Sequence, residues 1–167
     1  MKKFTLFIFT FTFCLLTTGF GAMKWLNFNQ ALSRAQTEKK FVMVDFYADW
    51  CGYCKKMEKT TFLNPQVKKM LDKFFVTAKI DTDNSQEVIT YEGEQYSVDE
   101  FMGSLKLRGL PTVAFLDKKG KFITLIPSYI PPETFLKILK YIQDECHSNQ
   151  VSFQDYLAGK KKCTAKK

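Results

Sequence analysis

The sequence is poor in residues that bind metals. It contains one histidine, His147, and its one Cys-x-x-Cys pair, Cys51 and Cys54, is followed only by Cys146 and Cys163 far along the chain. A structural zinc site needs four ligands at short spacings, as in zinc fingers and zinc ribbons. The spacing here is unlike either of those, so we predict no metal site.

The sequence also lacks internal repeats, linkers and basic stripes interleaved with aromatic residues. Its 167 residues, 46% of them hydrophobic, are enough to bury one core, so we expect one globular domain. Five lysines lie in the tail, residues 159–167, which we interpret as a solvated end; contact with an anionic membrane surface is the alternative. Without a basic–aromatic stripe, we expect no nucleic-acid partner.

The one long apolar run lies at the N-terminus, from Phe4 to about Leu16, directly after Lys2 and Lys3. Small residues follow it, which is the layout of a secretory signal peptide cleaved near residue 22. The alternative is an uncleaved membrane anchor, although the run is shorter than the ~20 apolar residues of a typical span. We therefore expect a periplasmic or otherwise exported protein, either released or held by that anchor.

Apolar periodicity predicts helices that alternate with strands. Residues 25–40 predict an amphipathic helix because apolar side chains recur at helical spacing, at Trp25, Phe28, Ala31, Leu32 and Ala35. Residues 41–48 are apolar on both faces, which predicts a central strand covered on both sides.

The elements that follow predict an α/β fold. They are a helix over 55–74 broken at Asn64-Pro65, a strand over 75–81, a hairpin over 87–98, a helix over 98–109, a hairpin over 110–127, a helix over 131–146 and a helical turn over 151–159. This order gives a central mixed β-sheet flanked by helices on both faces, with a small β-hairpin insertion and an extra C-terminal helix.

The two cysteines of the Cys-x-x-Cys pair follow a predicted strand and precede a predicted helix. At a helix N-terminus, free N–H groups and the helix dipole favour an anion, so the Cys51 thiol should lose its proton readily. Cys54 lies one turn on and can form a disulfide with Cys51. We predict that Cys51 attacks and Cys54 resolves a mixed disulfide. A purely structural role is the weaker interpretation, since so short a loop restrains the unfolded chain little.

Three charged residues are candidates for proton transfer. Asp45 lies in the apolar strand, where burial raises the pKa of a carboxyl, and we predict that it accepts the proton of Cys54. Lys79, on the next strand, either neutralises Asp45 or is an ordinary solvated lysine. Glu58 lies one helical turn after Cys54 and faces either the same pocket or solvent.

These residues together resemble the thioredoxin family. VDFYADWCGYCK, residues 44–55, looks like the family's active-site strand and loop, and GLPTVAF, residues 109–115, looks like its strand that begins with a cis-proline. The resemblance implies a thioredoxin fold for a domain over residues 23–147. It also implies that Pro111 is cis and lies against the disulfide, and that the backbone before it, at Leu110, pairs with the bound substrate chain.

We place Trp50, Gly52 and Tyr53 at the rim of that substrate groove; the alternative is that the two aromatic residues are plain loop residues. No organic cofactor is implied, because the disulfide itself carries the electrons. The dipeptide Gly52-Tyr53 departs from the Gly-Pro of thioredoxin and also occurs in disulfide isomerases of the DsbC type, and Ser128 stands where relatives commonly have glycine.

Within the family, the chain is similar to the C-terminal domain of DsbD, a membrane thiol reductant conductor, and to exported SoxW-type thioredoxins. The DsbD likeness places an acid at Glu58 near the cysteines. It implies an exported thiol–disulfide oxidoreductase that reduces disulfides of periplasmic partner proteins and receives electrons from a membrane donor of DsbD type. An oxidase or isomerase at the same CGYC site is the alternative. We expect a monomer.

The remaining cysteines, Cys146 and Cys163, lie on either side of the last predicted helical turn. Cys146 precedes an extension over residues 148–167, and Cys163 lies within it. In an oxidising compartment, a bridge between them would hold that turn to its neighbour. Free or intermolecular thiols are the alternative, since a sequence does not fix connectivity.

Overall fold

The computed structural model describes residues 23–84, 86–160 and 163. The predicted signal peptide, residues 1–22, and most of the lysines of the tail lie outside the described residues. Within the described ranges, no helix is both long and apolar enough to cross a bilayer.

Six strands and six α-helices make up the described chain. The strands are β1 Phe41–Tyr47, β2 Phe75–Asp81, β3 Val88–Tyr91, β4 Glu94–Ser97, β5 Thr112–Leu116 and β6 Phe122–Pro127. The helices are α1 Phe28–Glu38, α2 Gly52–Met57, α3 Pro65–Phe74, α4 Val98–Ser104, α5 Pro132–Gln143 and α6 Phe153–Leu157, and a π-helical turn over Glu58–Phe62 extends α2.

The central sheet has the strand order β2-β1-β5-β6. Strand β1 pairs with β2 in parallel and with β5 antiparallel, and β5 pairs with β6 antiparallel, so the sheet is mixed. A separate hairpin, β3-β4, turns at Glu92 and Gly93, both at positive φ. The predicted fold class is therefore confirmed, including the hairpin insertion and the extra C-terminal helix.

Side chains alternate between the two faces of the sheet and build two cores. One face of β1 contributes Val42, Val44 and Phe46 to a core with α1 and α4. The opposite face contributes Phe41 and Met43 to a core with α2, the π-helical turn, α3 and α5. Because Asp45 has the same parity as Phe41 and Met43, its side chain lies on the face that the double-cysteine helix covers.

The prediction that the first helix begins at Trp25 is wrong. Asn27 is the N-cap of α1, and its Oδ1 accepts a hydrogen bond from the Gln30 N–H at 2.8 Å. The preceding Leu26 instead forms an isolated parallel bridge with Ala78 on β2. A side-chain cap can end an apolar helical pattern early, which apolar spacing alone does not reveal.

The predicted break at Asn64-Pro65 is confirmed. The preceding helix ends at Phe62, Asn64 caps α3, and Pro65 occupies its first turn, where its missing N–H costs nothing.

The C-terminal segment folds back onto α5. Tyr141 packs edge-on against Phe153 of α6, with ring centroids 5.3 Å apart, and its hydroxyl donates to the Val151 carbonyl at 2.6 Å. Cys146 is fully buried, and it is joined to Cys163 by a disulfide with a Cα–Cα distance of 4.9 Å.

Candidate active site

The two cysteines lie where β1 leaves the sheet and α2 begins. Cys51 and Cys54 form a disulfide with Cα atoms 5.3 Å apart. Cys51 is the N-cap of α2, and its Sγ accepts a hydrogen bond from the Cys54 N–H at 3.1 Å. That N–H would stabilise a thiolate at Cys51 once the disulfide is reduced. Both cysteines are largely buried, so a protein partner would reach the pair by docking onto the surface around it.

Two exposed aromatic residues flank the cysteine pair. Trp50 is 72% exposed and Tyr53 is 63% exposed. The Trp50 indole is oriented by its Nε1–H, which donates to the Asp83 carboxylate at 2.8 Å. Exposed large aromatics beside a reactive group are well suited to contact another protein. Gly52 lies between them, and a Cβ there would meet no atom within 4 Å.

The loop before β5 forms the opposite side of the site. The Leu110–Pro111 peptide bond is cis. Leu110 packs against the cluster that contains Cys51 and Cys54. The Pro111 carbonyl accepts a hydrogen bond from the Ser128 N–H at 2.8 Å, which joins the loop after β6 to the same site.

Tyr129 is a residue of this site that we did not anticipate from the sequence. Its ring lies 6.4 Å from that of Tyr53, its hydroxyl is 3.0 Å from Thr60 Oγ1, and the Lys56 ammonium lies 4.6 Å from its ring centroid. Tyr129 follows Ser128, whose φ of 84° turns the loop toward α2. Only tertiary structure brings residues so distant in sequence together, so spacing gave no signal.

Asp45 is buried beneath α2, with 3% of its surface exposed. Burial raises the pKa of Asp45 to about 7; the positive charge of Lys79 lowers this pKa and the negative charge of Glu58 raises it. Its Oδ1 atom is buried and accepts no hydrogen bond from any residue described. A carboxyl with a pKa near neutrality can both accept and release a proton at physiological pH.

Glu58 and Lys79 form an ion pair beside Asp45. The Lys79 Nζ lies 3.0 Å from Glu58 Oε1, with the lysine side chain 16% exposed and the glutamate side chain 47% exposed. Lys79 and Asp45 are register partners on β2 and β1. Lys79 thus lies next to Asp45, as its strand position indicated, but its ammonium pairs with Glu58.

The described residues offer no alternative metal centre. No group of three or more His, Cys, Asp or Glu side chains within the described ranges is arranged to hold a metal ion.

Comparison with known proteins agrees with this geometry. A sequence profile of the thioredoxin-like domain matches residues 28–143. The chain is 40% identical over 94 residues to the thiol:disulfide interchange protein DsbD of Salmonella typhi, an alignment that covers 56% of this chain and 14% of that protein. The chain thus spans about one seventh of the length of this relative.

Two solved structures share the fold. A thioredoxin from Thermus thermophilus aligns with a TM-score of 0.59 and 28% identity, covering 73% of this chain and 88% of that one. The C-terminal domain of DsbD from Neisseria meningitidis, in its reduced form, aligns with a TM-score of 0.50 and 22% identity, covering 67% of this chain and 90% of that one.

Proposed function

The chain belongs to the thioredoxin-like domain family, and we propose that this thiol–disulfide oxidoreductase is exported and reduces disulfide bonds in partner proteins. The observation that carries the proposal is the Cys51–Cys54 disulfide at the start of α2, with the unpaired carboxyl of Asp45 on the sheet face beneath that helix.

The first step is attack by Cys51. In the reduced protein, the Cys51 thiolate attacks one sulfur of the partner's disulfide. The partner's S–S bond breaks, its other cysteine leaves as a thiolate and takes up a proton, and Cys51 is joined to the partner in a mixed disulfide. The Cys54 N–H, which faces Cys51 Sγ at 3.1 Å, favours the thiolate that begins the reaction.

The second step releases the partner. Asp45 takes the proton of the Cys54 thiol, and the Cys54 thiolate attacks Cys51 Sγ. The mixed disulfide breaks, the partner's second cysteine leaves as a thiolate and is protonated, and the Cys51–Cys54 disulfide forms. Two electrons and two protons have passed to the partner. A pKa of about 7 suits Asp45 to accept a proton and then return it to solvent.

Limited stabilisation of the Cys51 thiolate supports the reductive direction. A strongly oxidising Cys-x-x-Cys protein owes its potential to a reduced form that is heavily stabilised. In the described ranges, Cys51 Sγ accepts one hydrogen bond, from the Cys54 N–H. The only histidine of the sequence, His147, lies near Glu145 and Asp117, at the end of β5 opposite Pro111. Without a histidine or several donors, the thiolate is stabilised modestly, which favours a potential near that of thioredoxin.

The partner docks on the groove between the two cysteines and the loop before β5. Leu110 and Pro111 form one side of this groove, and the exposed rings of Trp50 and Tyr53 form the other. The backbone before Pro111 pairs with the partner chain, as the thioredoxin resemblance implies. Export by the N-terminal segment and a membrane electron donor of DsbD type complete the proposal, and the similarity to DsbD supports both.

The deciding measurement is the reduction potential of the Cys51–Cys54 couple. The full chain is equilibrated with a thiol buffer, quenched with a mass-tagged alkylating reagent and digested, so that this couple is read separately from Cys146 and Cys163. We expect a value near the about −270 mV of thioredoxin. A value close to about −120 mV would contradict the reductive role and indicate an oxidase or isomerase.

The Gly52-Tyr53 dipeptide favours an isomerase as the second candidate, because the same dipeptide occurs in isomerases of the DsbC type. Refolding of a protein with scrambled disulfides separates an isomerase from a reductant. An isomerase restores the native disulfide pairs without added electrons, whereas a reductant consumes a stoichiometric supply of electrons. In either case Cys51→Ser should abolish activity, whereas a binding module with a structural disulfide would retain its activity.

A further inference from the structure

The segment before α1 is fixed to the outer edge of β2 and brings Trp25 to the proton-transfer residues. The Leu26 N–H donates to the Thr77 carbonyl at 3.0 Å, and the Lys79 N–H donates to the Leu26 carbonyl at 3.0 Å. Thr77 Oγ1 also donates to the Lys24 carbonyl at 2.9 Å. Three hydrogen bonds therefore fix the backbone on both sides of Trp25. Its indole packs edge-on against Phe62, with ring centroids 5.2 Å apart.

The ammonium group of Lys79 lies between two aromatic rings. Its Nζ is 4.8 Å from the ring centroid of Trp25 and 4.6 Å from that of Tyr47. Both distances lie within the range of attractive cation–π contacts. With Glu58 Oε1 at 3.0 Å, the ammonium is held from three sides. Tyr47 also packs against the cluster of Ala48, Cys51 and Cys54, so this enclosure borders the disulfide.

Asp45 competes with Glu58 for the same ammonium. Lys79 and Asp45 are register partners on neighbouring parallel strands, with side chains on the same face. An unpaired buried carboxylate attracts a nearby ammonium strongly, because little solvent screens the two charges. A flexible lysine side chain would be expected to settle on Asp45. It settles on Glu58, in contact with the two rings, and Asp45 Oδ1 is left without a partner within the described chain.

We propose that Trp25 is a positioning residue for proton transfer, which together with Tyr47 holds the Lys79 ammonium on Glu58 and away from Asp45. The inference rests on the proposed function, in which Asp45 accepts the proton of Cys54. A carboxylate paired with an ammonium is a poor proton acceptor, and an unpaired one in a dry site is a good one. The indole therefore acts on the reaction through Lys79, without touching the sulfur atoms.

Among the described residues, few other groups near Asp45 would influence its titration. Lys79 on β2 and Glu58 on the π-helical turn are the charges that act on it, and the Tyr47 hydroxyl and the sulfur of Cys54, which here belongs to the disulfide, lie on the adjoining elements. Its partner on β5 is the apolar Val113.

Trp25 also lines a small cavity beside this arrangement. A cavity of about 170 Å³ is lined by Met23, Trp25, Glu58, Phe62 and Leu63. A smaller side chain at position 25 would widen this cavity beside the Glu58–Lys79 pair and remove one of the two rings that hold the ammonium. The freed ammonium should then move to the buried carboxylate of Asp45.

The test is the titration of Asp45 in the full chain. The carboxyl carbon of Asp45, labelled with ¹³C, is followed by NMR from pH 4 to 10 in Trp25→Leu, Trp25→Phe and the wild type. Leucine keeps apolar contact with Phe62 but has no ring. We expect the pKa of Asp45 to fall by about 1 unit in Trp25→Leu, as expected for a new opposite charge nearby, and to stay near the wild-type value in Trp25→Phe.

A double-mutant cycle with Lys79→Met shows whether Trp25 acts through the ammonium. Lys79→Met alone should raise the pKa of Asp45, because an attractive charge is removed. Adding Trp25→Leu to Lys79→Met should then leave the Asp45 titration unchanged. An equal shift from Trp25→Leu with and without Lys79 would overturn the proposal, and so would an unchanged titration in Trp25→Leu alone. Phe153→Leu, which removes an aromatic ring on α6, is the matched control and should not change the pKa of Asp45.

The pH profile of the second reaction step gives an independent readout. Cys54 releases a trapped mixed disulfide at a rate that should increase as the pH is raised. In Trp25→Leu this increase should occur at a lower pH than in the wild type, in parallel with the Asp45 titration. The NMR titration does not depend on the direction of electron flow. Failure of the wild type to reduce protein disulfides would therefore contradict the proposed function while the titration still decides the role of Trp25.

Discussion

Asp45 should make the stability of the protein depend on pH. Its pKa is about 7 in the folded chain against an ordinary value of 3.8. The stability that Asp45 contributes is then fully present below its unfolded-state pKa and is lost as the pH rises through about 7, because the unfolded chain releases this proton at a lower pH than the folded state does. The window of this effect runs from about pH 4 to just above pH 7.

Asp45→Asn should remove this pH dependence and stabilise the protein at high pH. Measured by urea unfolding of the oxidised chain, the stability gained over the wild type should be small near pH 4. It should grow through pH 7 toward an upper bound of about 4 kcal/mol, the free energy that corresponds to the difference between a pKa of 3.8 and about 7. Asp49→Asn, which removes an exposed carboxylate in the same segment, controls for net charge. A gain that shrinks as the pH rises would contradict the assigned direction.

Ser128 adopts a backbone conformation that favours glycine. Its φ is 84°, in the left-handed region, where the Cβ of an L-residue is crowded. Ser128→Gly should relieve that strain, and the greater flexibility of glycine in the unfolded chain offsets part of the gain. We expect a net stabilisation of about 0.5–1 kcal/mol in denaturant unfolding.

The matched control for Ser128→Gly is Ser33→Gly, at an exposed position inside α1. There the same substitution should destabilise the protein by about 0.5 kcal/mol, because glycine is a poorer helix former than serine. Effects of the same sign at both positions would show that the φ of Ser128 does not strain the fold.

At the scale of the elements, Asn64 decides where α3 begins. Its Oδ1 accepts hydrogen bonds from the Gln66 N–H at 3.0 Å and the Val67 N–H at 3.2 Å. Asn64→Ala leaves both donors without that partner and should lower the free energy of unfolding by about 1 kcal/mol, with an unchanged denaturant m-value. Gln66→Ala, at an exposed side chain in the same turn, should stay within about 0.5 kcal/mol of the wild type. Equal losses in the two variants would mean that the cap contributes little.

Most elements could be predicted from the sequence because each has a local signal. The strand β1 is apolar on both faces, the hairpins have turn residues, and the helix break has Asn64 before Pro65. The start of α1 could not be placed by spacing, since Trp25 fits the helical period and yet lies outside the helix, before the Asn27 cap. The π-helical turn has no sequence signal that we recognised.

The Cys51–Cys54 pair was predictable for the same reason, as a motif between a strand and a helix. The residues around this pair could be predicted only in part. Lys79 was expected to neutralise Asp45, because strand order brings the two together, but its ammonium pairs with Glu58 and lies against two aromatic rings from other elements. Tyr129 was missed because it approaches Tyr53 only through the fold. Contacts between elements distant in sequence depend on packing that local patterns do not record.

At the scale of the whole molecule, the Cys146–Cys163 disulfide joins the end of the described chain to the residues after α5. It spans a separation of 17 residues that includes α6. Closing a loop of that length removes freedom from the unfolded chain and is worth about 3 kcal/mol in the chain-entropy account. The two disulfides thus differ in kind: the short loop at Cys51 and Cys54 suits exchange, and the long loop at Cys146 and Cys163 suits stabilisation.

Cys163→Ser should therefore lower stability without altering the redox chemistry. We expect a loss of up to about 3 kcal/mol in urea unfolding with the Cys51–Cys54 disulfide intact, since the loop constraint disappears and α6 can leave Tyr141. The reduction potential of the Cys51–Cys54 couple should be unchanged. Lys160→Ser, an exposed position in the same segment, is the control and should have little effect. A shifted potential in Cys163→Ser would mean that the second pair exchanges electrons with the first, which would make the C-terminal extension part of the redox machinery rather than a tether.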